Sequence, residues 1–121
     1  MIKNSSLEQV QKSILTATAC VVNLTAKWCS DCTEQAYHLP DFSHSLATKS
    51  LSFYTLAVQK DKNVYLSTEH QAFTELLGGH GFPRTVLVIE GKVIDADNVE
   101  VISAEQLNEL LDKFTKQLID L

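Results

Sequence analysis

The stretch Trp28-Cys29-Ser30-Asp31-Cys32 is the most informative part of this sequence. Before it, residues 20 to 26 form a short run rich in Val, Leu and Thr, which predicts a strand buried on both faces of a parallel sheet. After it, a helical pattern begins at Ser30. Because residues three apart are neighbours on a helix, the two cysteines lie on one face of the first turn and can form a disulfide.

This arrangement favours thiol-disulfide exchange. The unpaired N–H groups and the positive dipole end at a helix N-terminus stabilise a thiolate at Cys29, which makes Cys29 the nucleophile. Its attack on a substrate disulfide gives a mixed disulfide, which Cys32 then resolves by attacking Cys29. The motif therefore predicts a redox-active centre at Cys29 and Cys32.

The spacing alone is equally compatible with half of a zinc site. Such a site needs four ligands, and the third cysteine, Cys20, lies in the predicted buried strand, where a small core residue is the simpler interpretation. A structural zinc site is the less favoured alternative, and we expect neither a metal nor a dissociable cofactor.

Length and composition predict one soluble domain over residues 1 to 121. The formal net charge of −5 and the dispersed lysines disfavour nucleic-acid partners, which need clustered Lys and Arg. No apolar run approaches the roughly 18 residues of a membrane span, and the N-terminal region lacks the apolar core of a secretory signal. Three cysteines fit a reducing compartment. We therefore expect a cytoplasmic protein without membrane or nucleic-acid partners.

The rest of the chain alternates between helical and strand patterns. Capping boxes beginning at Ser6, Thr68 and Ser103 predict three helix N-termini, and Pro40 divides the helical region of residues 30 to 50. Strands are predicted at residues 51 to 59, 85 to 89 and 93 to 96, the last two joined by a tight turn. The order α, β, α, β, α, β, β, α predicts a mixed sheet covered on both faces.

Two segments resemble the thioredoxin family. Residues 21 to 32 resemble that family's strand leading into a Trp-Cys-x-x-Cys helix, and residues 81 to 91, which begin Gly81-Phe82-Pro83-Arg84, resemble the segment where a cis-proline opens a strand and a glycine turn follows. With the final amphipathic helix, the resemblance covers nearly the whole chain in the right order. It implies the thioredoxin fold, an α/β architecture with a central mixed β-sheet flanked by helices on both faces.

The resemblance also implies a substrate groove formed by Trp28, Phe82 and Pro83. Pro83 would be the cis-proline lying against the dithiol, and a proline at the first residue of a strand does least harm to the sheet. The Phe82 backbone would pair with an extended substrate strand beside Cys29. The simpler alternatives are an ordinary proline at a strand start and a tryptophan buried in the core.

Several residues depart from the family pattern. Asn23 stands where thioredoxins carry a buried aspartate that helps to deprotonate the resolving cysteine, and an amide cannot take that proton. The strand around residues 54 to 58 has no lysine to pair with such an aspartate, and Thr55 and Leu56 occupy that neighbourhood. Losing both charges avoids burying one of them unpaired. We expect slower catalysis, or another base or water in this role.

Three further residues bear on redox tuning and on the groove. Ser30 and Asp31 replace the family's Gly-Pro, and the Asp31 charge opposes the helix dipole. We therefore expect a potential nearer the roughly −270 mV of thioredoxin than the roughly −120 mV of strong oxidants. An alternative is that Asp31 is simply a favourable first-turn residue. Arg84 stands where threonine is usual, and a solvated surface arginine is favoured over one that pairs with a substrate carboxylate.

The leading hypothesis is a reductase of protein disulfides that receives electrons from an unidentified partner reductase. Trp28 before the motif makes a glutathione-dependent enzyme of the glutaredoxin type less favoured. The alternative is a thioredoxin-fold binding or assembly module whose dithiol is regulatory or idle. Asn23 and the missing lysine support that alternative.

Overall fold

The computed structural model of this chain describes residues 2–4 and 6–120. In chain order its elements are β1 (Ile2–Asn4), α1 (Leu7–Thr16), β2 (Ala19–Ala26), α2 (Ser30–Ala36), α3 (Leu39–Ala47), β3 (Ser52–Asp61), β4 (Val64–Tyr65), α4 (Thr68–Leu76), β5 (Arg84–Ile89), β6 (Lys92–Val99) and α5 (Ala104–Ile119). No helix in these residues is long and apolar enough to cross a membrane.

The sheet is mixed, with strand order β1-β3-β2-β5-β6, and β4 pairs with the far end of β3. β2 lies at its centre, parallel to β3 and antiparallel to β5. β5 pairs with β2 as far as Leu24 and β3 pairs with it as far as Ala26, so β2 is held on both sides until two residues before its end. This end leads directly into the Cys-x-x-Cys motif.

Successive side chains of β2 point to opposite faces of the sheet and pack into two apolar clusters, one on each face. Val22 and Leu24 pack on the face covered by α1 and α4, whereas Val21 packs on the face covered by α3 and α5. On the second face Phe42 and Phe53 meet edge to face, with ring centroids 5.6 Å apart. The expected α/β fold with helices on both faces is confirmed.

The predicted elements differ from the structure at a few points. The capping boxes at Ser6 and Ser103 are confirmed, as is the break near Pro40. The box predicted to begin at Thr68 is wrong by one residue, because the Ser67 hydroxyl accepts the His70 N–H at 3.1 Å. The short strands β1 and β4 were not predicted, since two or three residues carry no readable period and depend on pairing with β3.

Candidate active site

Cys29 lies where the central strand passes into α2, and it is the N-cap residue of that helix. Its sulfur accepts the N–H of Cys32 at 3.1 Å, which satisfies one of the backbone donors left unpaired at a helix start. The two side chains are only 5% and 7% exposed. All three cysteines are free thiols, and the pair at positions 29 and 32 lies on one face as the spacing predicts.

Burial raises the pKa of the Cys32 thiol to about 12, with the neighbouring Cys29 and the Asp31 charge adding to the effect. Cys32 therefore carries its proton at neutral pH and must lose it before it can attack. Burial likewise raises the pKa of Cys20 to about 11, and Cys20 lies at the start of β2 within the apolar core. Among the described residues, no group of three or more metal-ligating side chains is present.

The loop before β5 reaches the dithiol. The Phe82–Pro83 peptide bond is cis, and the Cys29 thiol lies 3.8 Å from the Phe82 carbonyl oxygen, which can accept its proton in a weak hydrogen bond. The Phe82 side chain is buried and meets the His80 ring edge to face at 5.3 Å. The structure thus brings Phe82 and Pro83 against a cysteine 53 positions earlier in the chain.

Trp28 directly precedes Cys29 in the chain and lies at the surface. Its side chain is 38% exposed, so the alternative of a buried core tryptophan is wrong. The indole N–H donates to Gln59 Oε1 at 2.8 Å, and this oxygen also accepts the Asn63 N–H at 3.3 Å. Gln59 is fully buried at the end of the predicted strand. Its hydrogen bond to Trp28 was not predicted, because a single glutamine in a strand pattern does not indicate which residue it binds.

Asn23 belongs to a buried network of neutral groups. Its amide and that of Gln35 pair reciprocally, at 3.0 and 3.3 Å, and the Thr85 hydroxyl donates to Asn23 Oδ1 at 3.0 Å. Gln35 also donates to the Val101 carbonyl at 2.9 Å. The network has no ionisable side chain. Gln35 and Thr85 carry no sequence signal for this role, because they lie 12 and 62 positions from Asn23.

The register of β3 corrects one expectation about the position opposite Asn23. Thr55 is the register partner of Asn23, but Leu56 pairs with Leu24 and packs in the cluster on the other face of the sheet. The next residue of β3 on the Asn23 face is therefore Ala57. Placing Leu56 in this neighbourhood was wrong because the pleat turns its side chain away.

Ser30 and Asp31 form the first turn of α2. Ser30 is exposed and Asp31 is half-buried. The Asp31 charge contributes to the raised pKa of Cys32, behind burial and the neighbouring Cys29. An acidic residue here also suits the helix N-terminus, as the alternative interpretation of Asp31 has it, and the effect of its charge on the redox potential stays a prediction.

Arg84 is neither solvated nor in the groove, which overturns both expectations for it. Its side chain is 5% exposed, and it donates to the Ala96 carbonyl at 2.5 Å and to the His80 carbonyl at 2.8 Å. Gly78 has φ +122°, and a Cβ there would lie 2.6 Å from the guanidinium. The buried guanidinium therefore holds the loop that leads to Pro83.

We expect Arg84→Ala to lower the free energy of unfolding by about 2 to 4 kcal/mol, since two buried carbonyls lose their donor and a cavity forms. Arg84→Lys keeps the charge and one donor and should cost less. Urea unfolding measures both, with the exposed Lys92→Ala as control. An Arg84→Ala variant within about 0.5 kcal/mol of the wild type would contradict the anchoring role.

Solved structures of thioredoxins share this fold. The chain matches the oxidised thioredoxin of Plasmodium falciparum with a TM-score of 0.68 and 18% identity, covering 94% of this chain and 96% of that one. It matches a thioredoxin of Malassezia sympodialis with a TM-score of 0.67 and 18% identity, covering 94% of this chain and 89% of that one. It matches mitochondrial thioredoxin 3 of Saccharomyces cerevisiae with a TM-score of 0.64 and 18% identity, covering 88% of this chain and 89% of that one. No protein-family model and no curated protein matches the sequence. The chain is a thioredoxin-fold protein with a Cys-x-x-Cys dithiol at the start of α2.

Proposed function

We propose that this protein is a thiol-disulfide oxidoreductase that reduces disulfides in other proteins. One observation carries the proposal: the Cys29 sulfur accepts the Cys32 N–H at 3.1 Å and lies 3.8 Å from the carbonyl oxygen of Phe82, beside Pro83. A free thiol is thus held between a helix start and the backbone segment that contains the cis Phe82–Pro83 peptide bond. This geometry supports attack by Cys29 on a disulfide in an extended segment that pairs with that backbone.

The reaction is an exchange in two steps. The Cys29 thiolate attacks one sulfur of the substrate disulfide, so an S–S bond forms to Cys29 while the other substrate sulfur leaves as a thiolate and takes up a proton. Cys32 then loses its proton and attacks the Cys29 sulfur, which releases the second substrate sulfur. Two electrons pass to the substrate and leave a Cys29–Cys32 disulfide. A partner reductase must return two electrons and two protons.

The groove residues position the substrate in this proposal. The backbone around Phe82 pairs with an extended substrate segment, while Trp28 forms the opposite border. The Gln59 hydrogen bond fixes the indole ring, at 2.8 Å. Arg84 supports the other border through the His80 carbonyl, at 2.8 Å.

Reduction of insulin by dithiothreitol tests the proposal. We expect the protein to accelerate insulin precipitation well above the rate with dithiothreitol alone, and Cys29→Ser to abolish the acceleration because the attacking sulfur is gone. Cys20→Ala is the matched control, since it removes a thiol buried outside the site, and it should remain active. A wild-type rate equal to background would overturn the proposal.

We expect a reducing potential, below about −180 mV and nearer −270 mV than −120 mV. Strong oxidants owe their high potentials to a stabilised thiolate in the reduced form. Here Cys32 remains a thiol at neutral pH, with a pKa of about 12, and the Asp31 charge further disfavours a thiolate. Equilibration with glutathione buffers, followed by alkylation and mass spectrometry, measures the potential. A value above about −180 mV would contradict this expectation.

The second candidate function is a binding or assembly module with an idle or regulatory dithiol. The neutral network of Asn23, Gln35 and Thr85 favours it, because the network offers no group able to take the Cys32 proton. The insulin assay separates the two candidates. A module would bind partner proteins equally well with Cys29 replaced by serine.

A further inference from the structure

The hairpin formed by β3 and β4 meets the turn before Cys29 at Gln59. Gln59 Oε1 accepts the Trp28 indole N–H at 2.8 Å and the Asn63 N–H at 3.3 Å. The Gln59 carbonyl accepts the Lys27 N–H at 3.0 Å. The hairpin is therefore tied to the two residues that directly precede the nucleophile.

Five exposed side chains lie around Gln59 and form the hairpin surface: Lys27, Trp28, Lys60, Lys62 and Val64. Trp28 and Val64 are 38% and 49% exposed, and they supply its apolar area. Lys27 takes part in the hydrogen bonds to Gln59, and the other two lysines are chain neighbours of residues that do. The contacts that hold Trp28 thus also hold three lysines beside it.

The hairpin surface is positive, although the chain as a whole has a net charge of −5. Within residues 2–4 and 6–120, the ammonium groups of its three lysines form no ion pair. Asp61 is the one acidic residue of the hairpin, and the half-buried Asp31 belongs to α2. A patch whose sign opposes the net charge attracts ligands that the molecule as a whole repels.

We infer that the hairpin surface selects disulfides with acidic flanks, so that substrates carry Asp or Glu within about two to four positions of the cysteine that Cys29 attacks. The inference rests on the function proposed above, in which the substrate segment lies between the Phe82 backbone and Trp28. At about 3.3 Å per residue, two to four residues of an extended segment span about 7 to 13 Å. This span brings a flanking carboxylate to the lysines, while Trp28 and Val64 contact the carbon atoms of the segment.

Charge complementarity of this kind acts mainly on the rate of association. Opposite charges at an exposed surface steer the partner during diffusion, and salt screens them over about 10 Å at about 0.1 M. An acidic segment should therefore react faster than a basic one at low ionic strength, and this advantage should vanish at high ionic strength. The net charge of −5 alone predicts the reverse order, because it repels an acidic segment.

Two oxidised model peptides test the inference. They share one sequence with an internal disulfide and differ only beside the first cysteine, where one carries two Asp residues and the other two Lys residues. Reduced protein is mixed with each peptide, and acid quenching, alkylation and mass spectrometry give the rate. Dividing by the rate of the same peptide with dithiothreitol removes differences between the disulfides themselves. We expect the Asp peptide to react about tenfold faster at about 20 mM salt, and within about twofold at about 500 mM.

Charge reversal locates the preference. Lys60→Glu combined with Lys62→Glu should lower the ratio of the Asp-peptide rate to the Lys-peptide rate at low salt by about fivefold or more, whereas the two Lys→Arg changes should keep it. The matched control is Lys49→Glu combined with Lys92→Glu, which changes the net charge equally at exposed positions at the other end of the sheet. The control should keep the ratio within about twofold of the wild type.

Reduction of 2-hydroxyethyl disulfide, which is small and uncharged, reports the dithiol without the hairpin surface. If this disulfide is reduced but the two peptides react at equal normalised rates at low salt, the inference is overturned and the proposed function stands. A preference that persists undiminished in the Lys60→Glu, Lys62→Glu variant, or that falls equally in the control, also overturns it, because the preference then arises elsewhere or from net charge. If neither peptide nor the small disulfide is reduced, the proposed function fails together with the inference.

Discussion

A Cys32→Ser variant is expected to stop at the mixed disulfide and remain covalently attached to its substrate. The Cys29 sulfur is the group that lies against the Phe82 carbonyl at 3.8 Å, whereas the buried Cys32 holds its proton at neutral pH with a pKa of about 12. Attack by Cys29 can therefore proceed without Cys32, but release cannot. Steady-state insulin reduction should fall at least about a hundredfold, the scale of losing an essential nucleophile.

Mass spectrometry of the unreduced variant measures this directly. Incubation with an oxidised model peptide should give one peptide per protein molecule, and dithiothreitol should remove it. Cys29→Ser is the matched comparison and should form no adduct, because a buried Cys32 thiol is a poor nucleophile. If Cys29→Ser traps the peptide and Cys32→Ser does not, the two roles are assigned the wrong way round.

The sequence carried the central strand, the dithiol and the order of the main elements because these depend on local patterns. A β-branched run of residues 20 to 26 gives a buried strand wherever its neighbours lie, and Pro40 interrupts a helix whatever packs against it. The position of Cys29 at the helix start follows from the end of that strand and the helical pattern that begins at Ser30. The placement of both cysteines was therefore predictable from local pattern, whereas the preference for redox chemistry over zinc also needed Pro83 and the order of the elements.

The residues that hold the site in place, Gln59, Thr85 and Arg84, were not predictable in these roles, because the roles depend on contacts between residues far apart in the chain. Gln59 meets Trp28 across 31 positions and Thr85 meets Asn23 across 62. Arg84 shows the same difficulty, because a charged residue is normally exposed, and only the carbonyls of His80 and Ala96 explain its burial. A strand pattern does not show which of its polar residues is buried or what that residue binds. Only the folded structure shows both.

The neutral network of Asn23, Gln35 and Thr85 holds the dithiol in position but supplies no acid or base. Asn23 and Gln35 join the central strand to α2 through paired amides at 3.0 and 3.3 Å, so they fix the helix that carries both cysteines. They do so without a charge, which spares the fold the cost of burying one. Proton transfer at Cys32 must then be supplied from outside the network.

Asn23→Asp is expected to show how strictly this network excludes charge. A protonated carboxyl can donate to Gln35 Oε1 and accept from the Thr85 hydroxyl, much as the native amide does. An ionised carboxylate leaves Gln35 Oε1 without its donor and places a charge at a fully buried position. Because burial raises the pKa of the new carboxyl in the folded state above its unfolded value of about 3.9, ionisation opposes folding.

The free energy of unfolding of Asn23→Asp should fall as the pH rises. Below about pH 4 the carboxyl is protonated in both states, so the variant should be nearly as stable as the wild type. As the pH rises from there toward the raised folded-state pKa, the unfolded state releases its proton first and stability falls. At neutral pH we expect a loss of about 3 to 5 kcal/mol, the cost of an unpaired buried charge.

Urea unfolding across this pH range measures the loss, and two further variants frame it. Asn108→Asp makes the same change at an exposed position of α5 and should leave stability unchanged within about 0.5 kcal/mol. Ala57→Lys, combined with Asn23→Asp, places an ammonium group on the same face of the neighbouring strand and should recover part of the loss at neutral pH. If Asn23→Asp alone matches the wild type at neutral pH, a compensating charge or water lies beside position 23, and the network does not exclude charge.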